Sequence, residues 1–393
     1  MNPTTPRIAI VGGGLGGLTL ARVLQVHGIE ATIYEADTTR YVRPSQGGTL
    51  DMHEESGQRA IQEAGLTAEF RAAVRPEGQD MKLFDKHGTL LCEQVAEEDD
   101  LDRPEIDRGV LRDILLDSLD PDSIRWGKYL KEAIPLRDGR NELHFADGTF
   151  ATCDLLVGAD GAWSHVRPLV TDAEPEHSGV NFIELGITDV DGTQPDLAEL
   201  IGRGSLYALG DNKGIMPQRN GDGRIRTYVA FRTGEDWLTA CGIPFDRPDE
   251  ARAAMLGYFT DWAPQLTDLI RHCDDTIVPR PIMQLPVGLA WQSKSGVTLI
   301  GDAAHLMSPF AGAGANLALL DATELALAVI NNPGDPAAAI ETYEKAMHEY
   351  VLPMAEIASH HLDLMISPDG DKQMLALLAQ FDDMAAEGND ADR

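Results

Sequence analysis

Over residues 7–35 the spacing of apolar positions changes twice. "RIAIV" is a short apolar run of β type, "LTLARVLQVHG" repeats its apolar positions at helical spacing and stops on Gly28, and "EATIYE" alternates apolar with polar. Strand, helix and strand at this separation predict a β-α-β unit, hence a parallel sheet with a crossover helix. Further on, "SGQRAIQEAG" reads as helix, and "MKLFDKHGTLLCEQ" as a hairpin turning at Lys86, His87 and Gly88. "DRGVLRDILLDSL" predicts a helix capped by Asp107, with Val110, Leu111, Ile114, Leu115 and Leu119 on one face. "NELHFADGTFATCDLLVGADG" predicts a hairpin turned at Asp147 and Gly148, then a buried strand ending at Asp160. Over 177–286 short alternating runs such as "RIRTYVAFRT" predict an antiparallel sheet, with a helix near 249–258. "GVTLIGD" restores the parallel-strand pattern. From about Pro336 onward the chain reads as helix, in which Pro353 predicts a kink or break.

Composition narrows the partners. The chain has 393 residues, enough for two domains, and 43% of them are apolar. A net charge of -32 argues against nucleic acid and against anionic membrane surfaces, both of which call for basic patches. Cys92, Cys153, Cys241 and Cys273 lie far apart with no CxxC pair, so we expect free thiols in a reducing compartment and no metal site. The N-terminus has no signal-peptide layout, and the best apolar run, 317–330, is interrupted by Asp321 and Glu324. These features predict a cytoplasmic protein, which we expect to be a monomer.

Three stretches carry candidate chemistry. Gly12, Gly14 and Gly17 complete a G-x-G-x-x-G between the first strand and its helix, and Glu35 ends the next strand. There Gly12 permits a tight turn, Gly14 lets backbone approach a pyrophosphate, Gly17 lets helix and strand pack, and Glu35 binds ribose hydroxyls. The motif alone does not separate FAD from NAD. The second stretch, "DGAWSHVR" from Asp160, follows a buried strand; by itself it also reads as an ordinary turn with Ser164 capping a short helix. The third is "GDAAHLMSPFAGAGAN" over 301–316. Asp302 closes a strand at the sheet's carboxyl edge, and Gly312 and Gly314 open a helix whose positive end suits negative charge on a ligand. Otherwise it is a glycine-rich helix start with Asp302 as cap, and His305 reads as a satisfied loop histidine.

Together, in this order, the three stretches resemble the fingerprints of the class A flavoprotein monooxygenases of the aromatic-hydroxylase type. "GGTLDMHEESGQRAIQEAGL", "RPEIDRGVLRDILLDSL" and "IGDAAHLMSPFAGAGANLALLDA" are similar to the tetracycline-inactivating monooxygenases within that class. The likeness covers most of the chain but is thin over 177–286. The full Asp160-Gly161 pair is more like the general hydroxylases, since tetracycline-inactivating relatives can lack the aspartate.

The resemblance implies an α/β fold: a Rossmann-like FAD-binding domain (1–78, 96–176 and 287–350), a substrate domain with a mixed or antiparallel sheet (79–95 and 177–286), and a C-terminal helical segment (351–393). It implies FAD as cofactor. Gly12, Gly14 and Gly17, with Leu15 at the helix start, would meet the pyrophosphate and Glu35 the adenosine ribose. Arg108 would reach the flavin side, Asp302 the ribityl or pyrophosphate region, Pro309 the ring, and the backbone of Gly312, Ala315 and Asn316 its pyrimidine edge. Arg43, Asp51 and Asp160 join the cofactor set. A rough alignment places Glu184, Ser205 and Arg226 at substrate positions, and Met216, Phe231 and Met283 are candidate lining residues between the two sheets.

The implied reaction uses NADPH or NADH as a transient reductant and O2. A flavin C4a-hydroperoxide then hydroxylates a polycyclic or aromatic small molecule, tetracycline-type compounds first. The chemistry is flavin-borne and no side chain is assigned as catalytic acid or base. A hydroxylase of a biosynthetic aromatic polyketide, a flavin oxidoreductase that does not oxygenate, and a nucleotide-binding module without catalysis remain as alternatives.

Overall fold

The computed structural model describes residues 6–42, 47–97 and 99–391, with side chains as far as Phe381. These residues form two compact units. One comprises the chain up to Val74, then Ile106–Glu176 and Met283–Ser359; the other comprises Arg75–Glu105, His177–Ile282 and the residues from His360 on.

The first unit is organised by a five-stranded sheet in the order Val297–Leu299, Leu155–Gly158, Ile8–Val11, Ala31–Glu35, Ile124–Trp126. All four of its pairings are parallel. The strand Ile8–Val11 is buried at every position, as a central parallel strand covered on both faces should be. The crossover helix Leu15–Val26 packs against it and stops at His27, with Gly28 following at φ +73°. The helix Arg108–Ser118 buries Leu111, Leu115 and Leu116. Val110, expected on the inner face, is 42% exposed, because Leu116 completes the buried stripe instead. Asp107 occupies the N-cap position without a side-chain capping bond.

A further helix of the core, Ala313–Asn331, is long and apolar enough to cross a bilayer by length and composition, yet it is largely buried, as the core helix of a folded domain is. The helix Pro336–Met365 runs on through Pro353, so of the kink or break expected there the break does not occur. Buried Tyr343, Met347, Val351 and Ala358 anchor the helix on either side of the proline and offset the one backbone bond it removes.

The second unit holds most of a seven-stranded sheet in the order Val278–Gln284, Glu176–Ile187, Ile225–Arg232, Lys213–Arg219, Ser205–Gly210, Met81–Phe84, Leu90–Gln94. From Glu176–Ile187 to Leu90–Gln94 the pairings are antiparallel except where Ser205–Gly210 meets Met81–Phe84. Ile183, Leu185, Ile215, Val229 and Phe231 cover one face with a core shared by the helices Pro195–Ile201, Pro248–Leu256 and Pro264–Arg271. The turn of the Met81–Gln94 hairpin falls where Gly88 adopts φ +80°. The architecture is the α/β arrangement expected, a parallel sheet in one unit and a mainly antiparallel sheet in the other.

Candidate functional site

In the parallel sheet Val11 lies beside Gly158, and Gly158 beside Leu299. Each strand therefore ends at the same level, and the three glycine-bearing stretches leave from one carboxyl edge. They also touch. Gly12 turns at φ +109°, and a Cβ there would lie 2.2 Å from the Ala159 carbonyl oxygen. A Cβ on Gly17 would lie 2.1 Å from the Gly12 carbonyl oxygen. Added carbons on Gly16 and Gly301 would each meet Ala318 of the helix Ala313–Asn331 at 3.0 Å. Arg167 closes the remaining side. Its guanidinium is buried and donates to the carbonyls of Ala303 at 2.8 Å, Ala162 at 2.6 Å and Asp302 at 3.2 Å. Stretches separated by some 150 residues of chain thus form one rim.

The dinucleotide cofactor implied by sequence fits this rim on two observations. Gly14 is the N-cap of the helix Leu15–Val26, and a Cβ added there meets nothing within 4 Å among the described residues. No internal packing accounts for a glycine there, whereas a phosphate resting on the helix N-terminus does. Second, Asp160 accepts the His165 N–H on Oδ2 at 2.8 Å, while its buried Oδ1 has no partner among the described residues. Burial pushes this carboxyl above the ordinary range, against hydrogen bonds from Ser164 and His165. A buried acceptor without a donor is costly, so a ligand hydroxyl aimed at it would relieve the site.

Glu35 is buried and accepts the Gly13 N–H at 2.5 Å and the Asp37 N–H at 2.8 Å, one on each oxygen. Each oxygen keeps a further lone pair for a ribose hydroxyl. Glu35→Gln would turn one acceptor into a donor facing a backbone N–H. We expect FAD affinity to fall about tenfold, or ~1.4 kcal/mol, by titration of flavin fluorescence; unchanged affinity would remove Glu35 from the cofactor set.

The other members gather at two places. Asp51, Gly312 and Asn316 meet at the start of the helix Ala313–Asn331. Asn316 accepts the His53 N–H at 3.0 Å and donates to the Asp51 carbonyl at 2.7 Å, and the Asp51 carboxylate lies 2.9 Å from His53 Nε2. Gly312 caps that helix at φ +64°, a left-handed turn that glycine makes without strain. Leu15 is buried and Ala315 half-buried, each in the first turn of its helix; Pro309 opens the short turn Pro309–Ala311; and Asp302 is exposed, not closing a strand as expected but opening the short helix Asp302–His305, because the strand stops at Leu299 and Gly301 turns at φ +60°. Arg108 donates its N–H to the Gly48 carbonyl at 3.2 Å, and its side chain packs over Gly47. Arg43 lies outside the described residues.

In the second unit the strand register assigns faces. Glu184 stands opposite Tyr228, Met216 opposite Tyr228, Gln218 opposite Arg226, and Ser205 opposite Gln218. Directly opposed residues share a face, so Glu184, Ser205, Met216 and Arg226 share the face away from the helix-covered core. Arg226 and Arg280 both pair with Glu184. Phe231 is a correction: it sits in the opposite, core face, among Trp237, Tyr258 and Phe259, because it opens the aromatic cluster under the helices and not a lining. Met283 is half-buried near the end of Val278–Gln284. The open groove bounded by Lys82, Phe84, Leu197 and His272 shares none of these residues. Among the described residues no cluster of three or more His, Cys, Asp or Glu could hold a metal.

Sequence reasoning left four participants without a role. Arg167 and His53 lie inside quoted stretches, but only their contacts give them work. Asp321 carried a signal, a carboxylate on an otherwise apolar helical stripe. Arg280 carried none.

Residues 5–115 and 289–356 match the model of a family described as FAD binding domain. Over nearly the whole length, the chain is 31% identical to monooxygenase penA of Penicillium thymicola, covering 94% of this chain and 97% of that one. It is 30% identical to the 3-amino-4-hydroxybenzoate 2-monooxygenase PtnB3 of Streptomyces platensis, covering 94% and 91%. Among solved structures, Klebsiella pneumoniae HpxO complexed with FAD and uric acid superposes at a TM-score of 0.77 with 22% identity, covering 95% and 92%. The tetracycline destructase Tet(51) does so at 0.71 with 20% identity, covering 96% of each.

Proposed function

The chain belongs to the FAD-binding family of aromatic-hydroxylase-type monooxygenases, and from that premise we propose that it hydroxylates an aromatic or polycyclic small molecule, with NADPH or NADH as reductant. The closure of three sequence-remote stretches into one rim, with Gly14 open and Asp160 Oδ1 lacking a donor among the described residues, carries the cofactor half of this reading. When bound, FAD supplies the redox chemistry, taking electrons from the nicotinamide and activating O2.

The chain's own residues bind and orient. The helix Leu15–Val26 would hold the pyrophosphate at its N-terminus, with Glu35 and Asp160 accepting ribose hydroxyls and Asp302 those of the ribityl chain. The positive end of the helix Ala313–Asn331 would favour negative charge on the cofactor. On the second unit, Glu184 pairs with the guanidinium groups of both Arg226 and Arg280, on the face that also carries Met216 and Ser205. Aminohydroxybenzoate-type acids and tetracycline-type compounds are both candidate substrates, and tetracyclines remain a leading class on the segment likeness. We place the enzyme in the cytoplasm as a monomer; its four cysteines stand as free thiols, as a reducing compartment allows.

The test is oxygen consumption by the yellow, purified protein with NADPH or NADH, alone and with a tetracycline, an aminohydroxybenzoate and urate, followed by product mass. A stimulated rate with a product heavier by one oxygen atom is the expected outcome. Turnover without oxygen incorporation for every compound offered would favour a non-oxygenating oxidoreductase instead.

A further inference from the structure

Asp321 is completely buried halfway along the helix Ala313–Asn331, where its neighbours are alanines and leucines. It accepts the Gly301 N–H at 2.7 Å and lies 2.6 Å from His305 Nε2, both on Oδ2, and accepts the Tyr350 hydroxyl at 2.6 Å on Oδ1. One carboxylate therefore grips both ends of the short turn, from Gly301 to His305, on which Asp302 is carried. A leucine at this position would avoid the desolvation of a buried charge altogether. Two of its three bonds hold that turn, and the third ties it to Tyr350 of the helix Pro336–Met365.

His305 is itself buried. Burial would lower its pKa, but the Asp321 charge and hydrogen bond, with the Asp302 charge, outweigh it and leave His305 above its ordinary 6.5. The titratable groups around the pair are Asp302 on the turn, and Tyr343, Glu344, His348 and Tyr350 on the helix Pro336–Met365. Glu344 accepts from Trp291 at 3.0 Å and from Thr298 at 2.8 Å, and Tyr343 donates to the Leu299 carbonyl at 2.9 Å. These bonds fix the end of the strand Val297–Leu299 immediately before the turn.

We propose that Asp321 is a positioning residue for the cofactor: paired with protonated His305, it fixes the turn from Gly301 to His305 and so sets the placement of the Asp302 carboxylate. The proposal rests on the FAD reading. The sign of its pH dependence follows from the raised His305 pKa. The ion pair is complete below the ordinary histidine range, and the proton is lost as pH rises through the raised value. The grip then weakens to a bond between a carboxylate and a neutral ring, and cofactor affinity falls with it.

The experiment is titration of flavin-stripped protein with FAD, read by flavin fluorescence from about pH 6 to 9, for the parent, Asp321→Asn, His305→Gln and Tyr350→Phe. Circular dichroism and thermal unfolding check each fold. An asparagine keeps the shape and can still receive Gly301 and His305 on its oxygen while its amide donates to Tyr350, so it removes the charge with little else. We expect the FAD dissociation constant of Asp321→Asn to rise at least about tenfold at the acid end and its pH step to vanish. His305→Gln should lose the step as well. Tyr350→Phe should keep the step with about a threefold weaker affinity. Parent-like affinity and a parent-like step in Asp321→Asn overturn the clamp. Should that variant not fold, a surviving step in His305→Gln overturns it equally. A parent that binds no FAD removes the FAD reading and the clamp together, which separates the two failures.

Discussion

Gly14→Val should purify as a folded, colourless protein. The residue sits at φ -77° and ψ -179°, extended backbone open to any side chain, and a Cβ there meets nothing within 4 Å among the described residues. Loss of a glycine N-cap from one helix costs under about 1 kcal/mol, so cooperative unfolding should be retained. The isopropyl group would instead occupy the space in front of the first N–H groups of the helix Leu15–Val26. FAD affinity is expected to fall at least about 100-fold, ~2.7 kcal/mol. The contrast with its neighbours makes the result informative. Gly12→Ala drives a Cβ to 2.2 Å from a carbonyl oxygen at a φ of +109°, and Gly17→Ala to 2.1 Å from another. Both should fail to fold as the parent does, because backbone on both sides has no room to move. Gly12 and Gly17 are glycine for the sake of the fold; Gly14 is glycine for the sake of a ligand. Retention of flavin by folded Gly14→Val would withdraw the pyrophosphate assignment.

That division indicates what could be read in the chain without coordinates. Periodicity located the β-α-β unit, the two hairpins and the helix after Asp107, because each is a local decision made by a few apolar positions and a turn residue. The glycine motif told which residues approach one another only in part, since the contact partner of Gly12 is Ala159, almost 150 positions away. Val110 and Phe231 depart from expectation for separate reasons: helical spacing admits neighbouring stripes, of which the one completed by Leu116 is buried, whereas strand alternation marks a face without telling which neighbour covers it. The helix Pro336–Met365 passes Pro353 unbroken because buried residues hold it on either side. Arg167, Asp321 and Arg280 act through side-chain bonds to distant backbone or distant charge, and such pairings leave no periodic trace. An isolated ionisable residue inside an apolar helix, as at Asp321, is the nearest thing to a local signal for them.

Arg167→Ala should leave the first unit folded but strongly destabilised. The guanidinium is buried and its donors end on the carbonyls of Ala162, Asp302 and Ala303, which belong to the two segments that follow the paired strands Leu155–Gly158 and Val297–Leu299. Burial lowers its pKa, and the charges of Asp160 and Asp302 oppose that shift. Removing it leaves a cavity, three carbonyls short of a donor and two carboxylates without the cation between them. Breaking a buried charged contact of this kind costs about 3–5 kcal/mol, and for a unit of this size that corresponds to a drop in Tm of about 10 °C or more. Arg167→Lys should lose less but recover little, since an ammonium cannot span the carbonyls that a planar fork reaches. The decisive reading is the Tm increase on adding FAD. Ligand stabilisation scales with the logarithm of concentration over Kd, so a protein whose two loops have separated should gain almost nothing from FAD that raises the parent's Tm. If Arg167→Ala instead melts lower yet gains the parent's full increment, the arginine supports the fold without aligning the cofactor loops, and the rim is held by the glycine contacts alone.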